Sequence, residues 1–283
     1  MDYSYVATDT ELEEYITEFL GRNNFTIALD MEMESNRHSF GEKLCLIQIH
    51  DGTQTILIDP LHISEDTIRK LLENKNVLKV MYDASYDSII MKSLYSIEIK
   101  SILDLKPAVD LLKYKKGNLH SVIAQELGIQ LKDKDKYQKH NWMIRPISND
   151  ALEYAMNDVL YLLPLKKILL KKIFDKELMD RFLLRNFQIQ LIEQDVDTEK
   201  KYKNVRGYNN LDANEKHIFQ TIYDIRKEYA EMYNLPDYRI IRNDDLIRTA
   251  KDTNHLNRIQ FPVDLSVNGI REILKELKAA VTE

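Results

Sequence analysis

A single cysteine, Cys45, excludes an intramolecular disulfide, and its place between Leu44 and Leu46 marks it as a small buried apolar residue rather than a nucleophile. No grouping of Cys and His offers a zinc site, so any metal chemistry must be carboxylate chemistry. Glycine and proline are scarce, at 7 and 6 of 283 residues, which argues against long linkers and low-complexity segments. No apolar run approaches the roughly 20 residues of a membrane-spanning helix. The first residues, Met1 to Tyr5, lack the basic-then-apolar order of a secretory leader. An intracellular, cytoplasmic protein is expected, a nuclear one staying open for a eukaryotic source. A basic excess is missing too: the net charge is −6.

What remains is 44% hydrophobic and 30% charged, enough for one large domain and a small one. Three stretches carry acids in suggestive settings. In the first, Phe25-Thr26-Ile27-Ala28-Leu29 is an apolar run of the kind that forms a buried strand, and it turns acidic at Asp30, Glu32 and Glu34. Strand alternation puts Asp30 and Glu32 on the same side as Ala28, where a carboxylate pair needs a cation or water to compensate it. A strand that stops at Leu29, leaving the acids in solvent, fits the same pattern.

The second stretch, from Val77 to Met81, is β-prone and leads into residues that open a helix, with Asp87 in its first turn beside the C-terminal end of the strand. Ligands of open α/β sheets bind at such ends. Asp87 also suits simple complementation of a helix N-terminus, and Asp83 shares the ambiguity and ranks below it. The third stretch, Ser148 to Leu165, reads as a helix capped by Ser148, with Tyr154 and Asp158 four apart on one face. A packed aromatic beside a solvated acid is the bland meaning of that spacing.

In order and spacing, the three stretches resemble the Exo I, Exo II and Exo III motifs of the DEDD 3′-to-5′ exonucleases, in the tyrosine branch, and most of all the ribonuclease D group. Leu44-Cys45-Leu46-Ile47-Gln48-Ile49 is similar to that family's second strand, and Ile58-Asp59-Pro60 to the close of its third. Trp142, Arg145 and Pro146 match its Trp-x-x-Arg-Pro element. Tyr82 stands where the family usually has His, and Asn141 where it has Asp. Neither belongs to the acidic quartet.

The resemblance implies an RNase H-like α/β fold with a mixed central sheet over residues 1–172. It implies two divalent cations, Mg²⁺ or Mn²⁺, held by Asp30, Glu32, Asp87 and Asp158, with Tyr154 orienting the attacking water. The activity implied is removal of 5′-nucleotides from RNA with a free 3′ end, in maturation of tRNA or other structured RNA. A DNA 3′-to-5′ exonuclease and a catalytically inactive RNA-binding scaffold are the alternatives. No membrane partner is expected; the oligomeric state is left open, with a monomer favoured.

Phosphate affinity comes largely from Lys and Arg. Between residues 113 and 145, Lys113, Lys115, Lys116, Lys132, Lys134, Lys136, Lys139 and Arg145 outnumber Glu126, Asp133 and Asp135. Lys134, Lys136 and Arg145 are the candidate substrate contacts. A second basic cluster follows at Lys166, Lys167, Lys171 and Lys172.

After a helical and charged connector over 173–208, a new helical periodicity begins at Leu211 and runs through Phe219, Ile222, Ile225, Tyr229 and Met232, closed by Asn234-Leu235-Pro236. A short helix from about Asn243 and a final one from about Ser266 to Val281 complete an all-α bundle over 209–283 that resembles the HRDC domain. Residues 211–283 hold 11 Lys or Arg against 13 Asp or Glu, so the bundle as a whole has no basic footprint.

Overall fold

The protein's structure, a computed structural model, describes residues 3–131, 137, 139–191, 202–261 and 265–281. It divides into two compact units, one of residues 1–33 and 44–196, the other of residues 34–43 and 197–283. Among the described residues no helix is long and apolar enough to cross a membrane.

The first unit is built on a mixed sheet. Its strands are β1 (Tyr3–Val6), β2 (Thr26–Ser35), β3 (Glu42–His50), β4 (Thr55–Ile58), β5 (Leu78–Met81) and β6 (Ile102–Asp104). They stand in the order β1-β4-β3-β2-β5-β6. Strands β1 and β4, β2 and β5, and β5 and β6 run parallel, while β3 and β4 are antiparallel.

Residue alternation along β2 sorts its side chains between two layers of helices. Ile27, Leu29 and Met31 enter one core with Leu12 and Phe19 of α1 (Asp9–Gly21), Ile68 and Leu71 of α2 (Glu65–Leu72), and Met91 of α3 (Ser85–Tyr95). Ala28 enters the core on the other face. There it joins Val109 of α4 (Lys106–Leu111), Val122 of α5 (Leu119–Leu127), Val159 of α6 (Asn149–Leu160), Leu165 of α7 (Leu162–Asp175) and Phe182 of α8 (Met179–Gln190). The even-numbered face of β2 is therefore the one toward α6.

Local signals set the boundaries. Ser148 caps α6 through the Ala151 amide, as its position before the apolar periodicity implies. That helix does not reach Leu165. It ends at Leu160, and α7 starts afresh at Leu162 with Pro164 in its first turn. Proline has no N–H for the carbonyl four residues back and is tolerated only where that bond is not needed, so the break precedes it.

The second unit is all-α apart from the 34–43 stretch. It contains α9 (Ala213–Met232), α10 (Asp237–Ile240), α11 (Asn243–Lys251), a 3₁₀ segment (Thr253–Arg258) and α12 (Val267–Ala280). Asp212 and Glu215 form a reciprocal capping box on α9. Phe219, Ile222, Ile225 and Tyr229 are buried as the periodicity implies, with Ile273 and Leu277 of α12 in the same core. Met232 departs from the pattern and is 69% exposed, while Tyr229 and Ala230 of the same turn are buried and Tyr233 packs against this core. Phe40 packs on this core, and Lys43 Nζ donates to Asn234 Oδ1 at 2.9 Å.

Candidate metal centre and active site

Strand β2 continues through its acids instead of stopping at Leu29, so Asp30 and Glu32 sit mid-strand on the Ala28 side, facing α6. Asp158 comes from the last turns of α6, where it is 8% exposed. One carboxylate oxygen from each of Asp30, Glu32 and Asp158 lies within 4.8 Å of the others. Glu34, the next acid on that side, is diverted: its Oε1 accepts the amides of Arg37 and His38, and its Oε2 meets His38 Nδ1 at 3.0 Å.

Three carboxylates this close repel strongly in a poorly solvated setting. Burial, then the charges of Asp158 and Asp87, push the Asp30 carboxyl well above the usual carboxylate range. Glu32 is raised likewise, by burial first and then by Asp30, Asp158 and Asp87. The donor set suits a hard divalent cation, which takes oxygen ligands; around an ion of Mg²⁺ size they stand at most about 4.2 Å apart. These three oxygens are close to that spacing.

Asp87 is not one of the three, yet it is positioned toward them by a built turn. Asp83 adopts a left-handed backbone (φ 64°) just before α3, and Asp104 at the end of β6 accepts the amides of Asp83 (2.8 Å) and Ala84 (2.9 Å). The turn so fixed starts α3 with Asp87 in its first turn. Burial, then the charges of Asp83 and Asp104, push the Asp87 carboxyl up to about 7. Its charge in turn acts on Asp30 and Glu32.

Tyr154 is buried one helical turn before Asp158 and packs against Tyr137, with ring centroids 5.2 Å apart. Burial, followed by the charges of Asp158, Glu32 and Asp30, raises its phenol far above the ordinary value. His120 was not among the residues singled out from the sequence. It sits near the start of α5, with Nε2 3.1 Å from Asp158 Oδ1 and its ring 5.8 Å from that of Tyr154. No local pattern in Asn118-Leu119-His120-Ser121 announces this; the pairing joins residues 38 apart in sequence.

The basic candidates fare differently. Lys134 and Lys136 lie outside the described residues. The Arg145 guanidinium forms a two-point clamp on Asp59 and also donates to the carbonyls of Cys45, Trp142 and Ile144, so its donors are engaged within the protein rather than presented to a phosphate. Lys172 is paired with Glu126, and Lys171 with Asp175. At the two positions that depart from the family pattern, the Tyr82 hydroxyl donates to the Gly117 carbonyl at 2.7 Å and Asn141 Oδ1 accepts the Met143 amide.

Ribonuclease D of Desulfotalea psychrophila is 29% identical over 253 residues, covering 87% of this chain and 66% of that protein. Ribonuclease D of Haemophilus influenzae is 27% identical over 281 residues, covering 97% of this chain and 69% of that protein. The chain thus spans about two thirds of the length of these curated relatives. The crystal structure of Escherichia coli RNase D superposes with a TM-score of 0.76 at 22% identity, covering 100% of this chain and 76% of that one, and so shows a shared fold. Residues 3–174 match the profile of the family described as 3′-5′ exonuclease. That match takes in β2, the turn that starts α3, and the whole of α6, and the chain belongs to the 3′-5′ exonuclease family.

Proposed function

We propose that this protein is a metal-dependent exoribonuclease that removes 5′-nucleotides one at a time from RNA with a free 3′ end, acting in the maturation of tRNA or other structured RNA. The observation that carries this is the meeting of Asp30, Glu32 and Asp158 oxygens within 4.8 Å, from a strand and a helix far apart in sequence. The choice of RNA rests on likeness to proteins called ribonuclease D, of which the Escherichia coli one is described as an exoribonuclease involved in structured RNA processing.

In this reading Asp30, Glu32 and Asp158 would hold one divalent cation, and Asp30 and Asp87, the latter directly or through water, would hold a second, Mg²⁺ or Mn²⁺ in each case. When bound, such a pair lowers the pKa of water and neutralises charge on the attacking and leaving oxygens of an in-line displacement. Tyr154 orients the attacking water. Burial and the charges of Asp158, Glu32 and Asp30 raise its phenol in the metal-free protein, so a part in removing the water's proton would need the cations that offset those charges. The all-α residues 209–283 are read as an HRDC-like domain following a nuclease domain over 1–172.

Matched RNA and DNA oligonucleotides with free 3′ ends, incubated with Mg²⁺ or Mn²⁺ and with EDTA, test the proposal. A ladder of shortened RNA products with release of 5′-nucleotides, abolished by EDTA and by Asp158→Asn, is expected. DNA shortened faster than RNA would hand the site to the DNA exonuclease reading, and no shortening of either would leave a scaffold.

A further inference from the structure

Tyr82 follows β5 directly, on the Val80 side of that strand, and its ring packs against the core that Val122 and Ile123 of α5 enter. Its hydroxyl donates to the Gly117 carbonyl at 2.7 Å, across 35 residues of chain. Gly117 immediately precedes Asn118, the residue that caps α5 through the Ser121 amide at 3.0 Å. His120 follows in the first turn of that helix, with Nε2 3.1 Å from Asp158 Oδ1.

Directional anchoring of His120 is otherwise scarce. Its other ring nitrogen, Nδ1, is buried and has no hydrogen-bond partner among the described residues. An imidazole held at one nitrogen can pivot there, so its aim depends on the backbone that carries it. Leu119 and Val122 hold α5 to the core by apolar contact, which is non-directional. The loop entering α5, Lys115-Lys116-Gly117, makes no hydrogen bond among the described residues other than the one from Tyr82.

We propose that Tyr82 is a positioning residue of the acid centre, its hydroxyl fixing the entry to α5 so that His120 meets Asp158. The inference deepens the two-cation reading and rests on it for the role of Asp158. Tyr82 also precedes the left-handed Asp83 turn that starts α3 with Asp87. One side chain thereby joins the segments that carry Asp87 and Asp158, and the rival account is action through the Asp83 turn alone.

The test uses the full chain carrying Tyr82→Phe, His120→Ala or both, since phenylalanine keeps the ring's packing and deletes the hydroxyl. Mn²⁺ binding is measured by calorimetry without RNA. Tyr82→Phe is expected to weaken it about three- to tenfold, the scale of one lost hydrogen bond. Added to His120→Ala, the same change should cost less than about twofold more, because residues acting through one another do not add. In the metal-free protein, the nuclear Overhauser contact between the His120 and Tyr154 rings, whose centroids are 5.8 Å apart, should weaken in Tyr82→Phe.

Unchanged Mn²⁺ affinity in Tyr82→Phe would overturn the proposal. Fully additive losses would overturn it as well and assign Tyr82 to the Asp83 turn and Asp87. A parent that takes up no Mn²⁺ would sink the two-cation reading, and the ring contact would then decide the inference by itself, an undiminished contact counting against it. A parent that binds Mn²⁺ yet shortens no RNA would sink the exoribonuclease reading and leave the role of Tyr82 standing.

Discussion

His120 Nε2 stands 3.1 Å from Asp158 Oδ1, on the carboxylate that α6 contributes to the acid cluster. If Asp158 serves as a cation ligand it must be ionised and can only accept, so Nε2 would donate to one of its oxygens and leave the other for the cation. Groups in this position orient metal ligands, and their loss commonly costs about 10- to 100-fold in metal affinity. His120→Ala is expected to weaken Mn²⁺ binding within that range by calorimetry, and His120→Gln, whose amide still donates, to recover part of it. Equal Mn²⁺ affinity in the alanine variant would leave His120 as packing only.

Asp30 illustrates the cost of assembling such a site without its ion. An unfolded aspartate ionises at about 3.9, whereas the folded Asp30 holds its proton to higher pH, because of burial and then the charges of Asp158 and Asp87. Folding therefore takes up a proton in that window, and the metal-free protein loses stability as pH climbs from about 4 through the raised folded value. Asp30→Asn removes the charge and should melt about 2–4 °C higher than the parent in EDTA at neutral pH. It should also lose the rise in melting temperature that Mn²⁺ gives the parent. A variant less stable than the parent in EDTA would contradict this electrostatic account.

Much of this centre was legible because its parts are local. The alternation from Ile27 to Glu32 fixes which side the acids take, Ser148 announces the start of α6, and four-residue spacing stacks Tyr154 under Asp158. What could not be read were meetings across the chain. His120 finds Asp158 38 residues away, and Arg145 finds Asp59 86 residues away, so a charge that reads as a phosphate contact becomes a structural clamp. Nor does local sequence reveal that residues 34–43, which begin at Glu34, the last acid of β2, group with the second unit. The break at Tyr161 was legible in principle, since Pro164 forbids a continuous helix.

Tyr154→Phe separates chemistry from assembly. The ring packs against Tyr137, Trp142 and His120, and phenylalanine preserves that surface while deleting the hydroxyl. Metal affinity is expected to change less than twofold, and turnover at saturating RNA to fall about 10²- to 10⁴-fold, the usual scale for a lost proton-handling or water-positioning group. Single-turnover rates close to those of the parent would remove Tyr154 from the reaction.

Lys79 lies fully buried on β5, in register with Ile27 and Ile102, and its Nζ donates to the Asn74 carbonyl at 2.6 Å. Burial lowers its pKa to about 7. Unfolded lysine stays protonated to about 10.4, so unfolding takes up a proton between those values and stability rises with pH across the window. Lys79→Met is expected to gain on the order of 3 kcal/mol over the parent at pH 6, an advantage that shrinks toward pH 10. Urea titrations at the two pH values decide it. A difference independent of pH would mean that packing, not ionisation, governs the site.

The clamp between Arg145 and Asp59 makes the opposite prediction. Asp59 is buried, and Arg145 together with the Tyr5 hydroxyl and the Leu61 amide holds its carboxyl below the usual range despite desolvation. Removing the cation alone leaves a buried carboxylate without its partner, at a cost of about 3–5 kcal/mol, whereas removing both charges together is far less harmful. Arg145→Met should therefore destabilise strongly, and Asp59→Asn added to it should restore much of the loss. In the double variant RNA affinity is expected to match the parent's, because the Arg145 donors are spent on Asp59 and backbone carbonyls. If stability returns but RNA affinity remains about tenfold or more below the parent's, Arg145 contacts substrate after all, because a lost phosphate contact is the change that lowers binding without lowering stability.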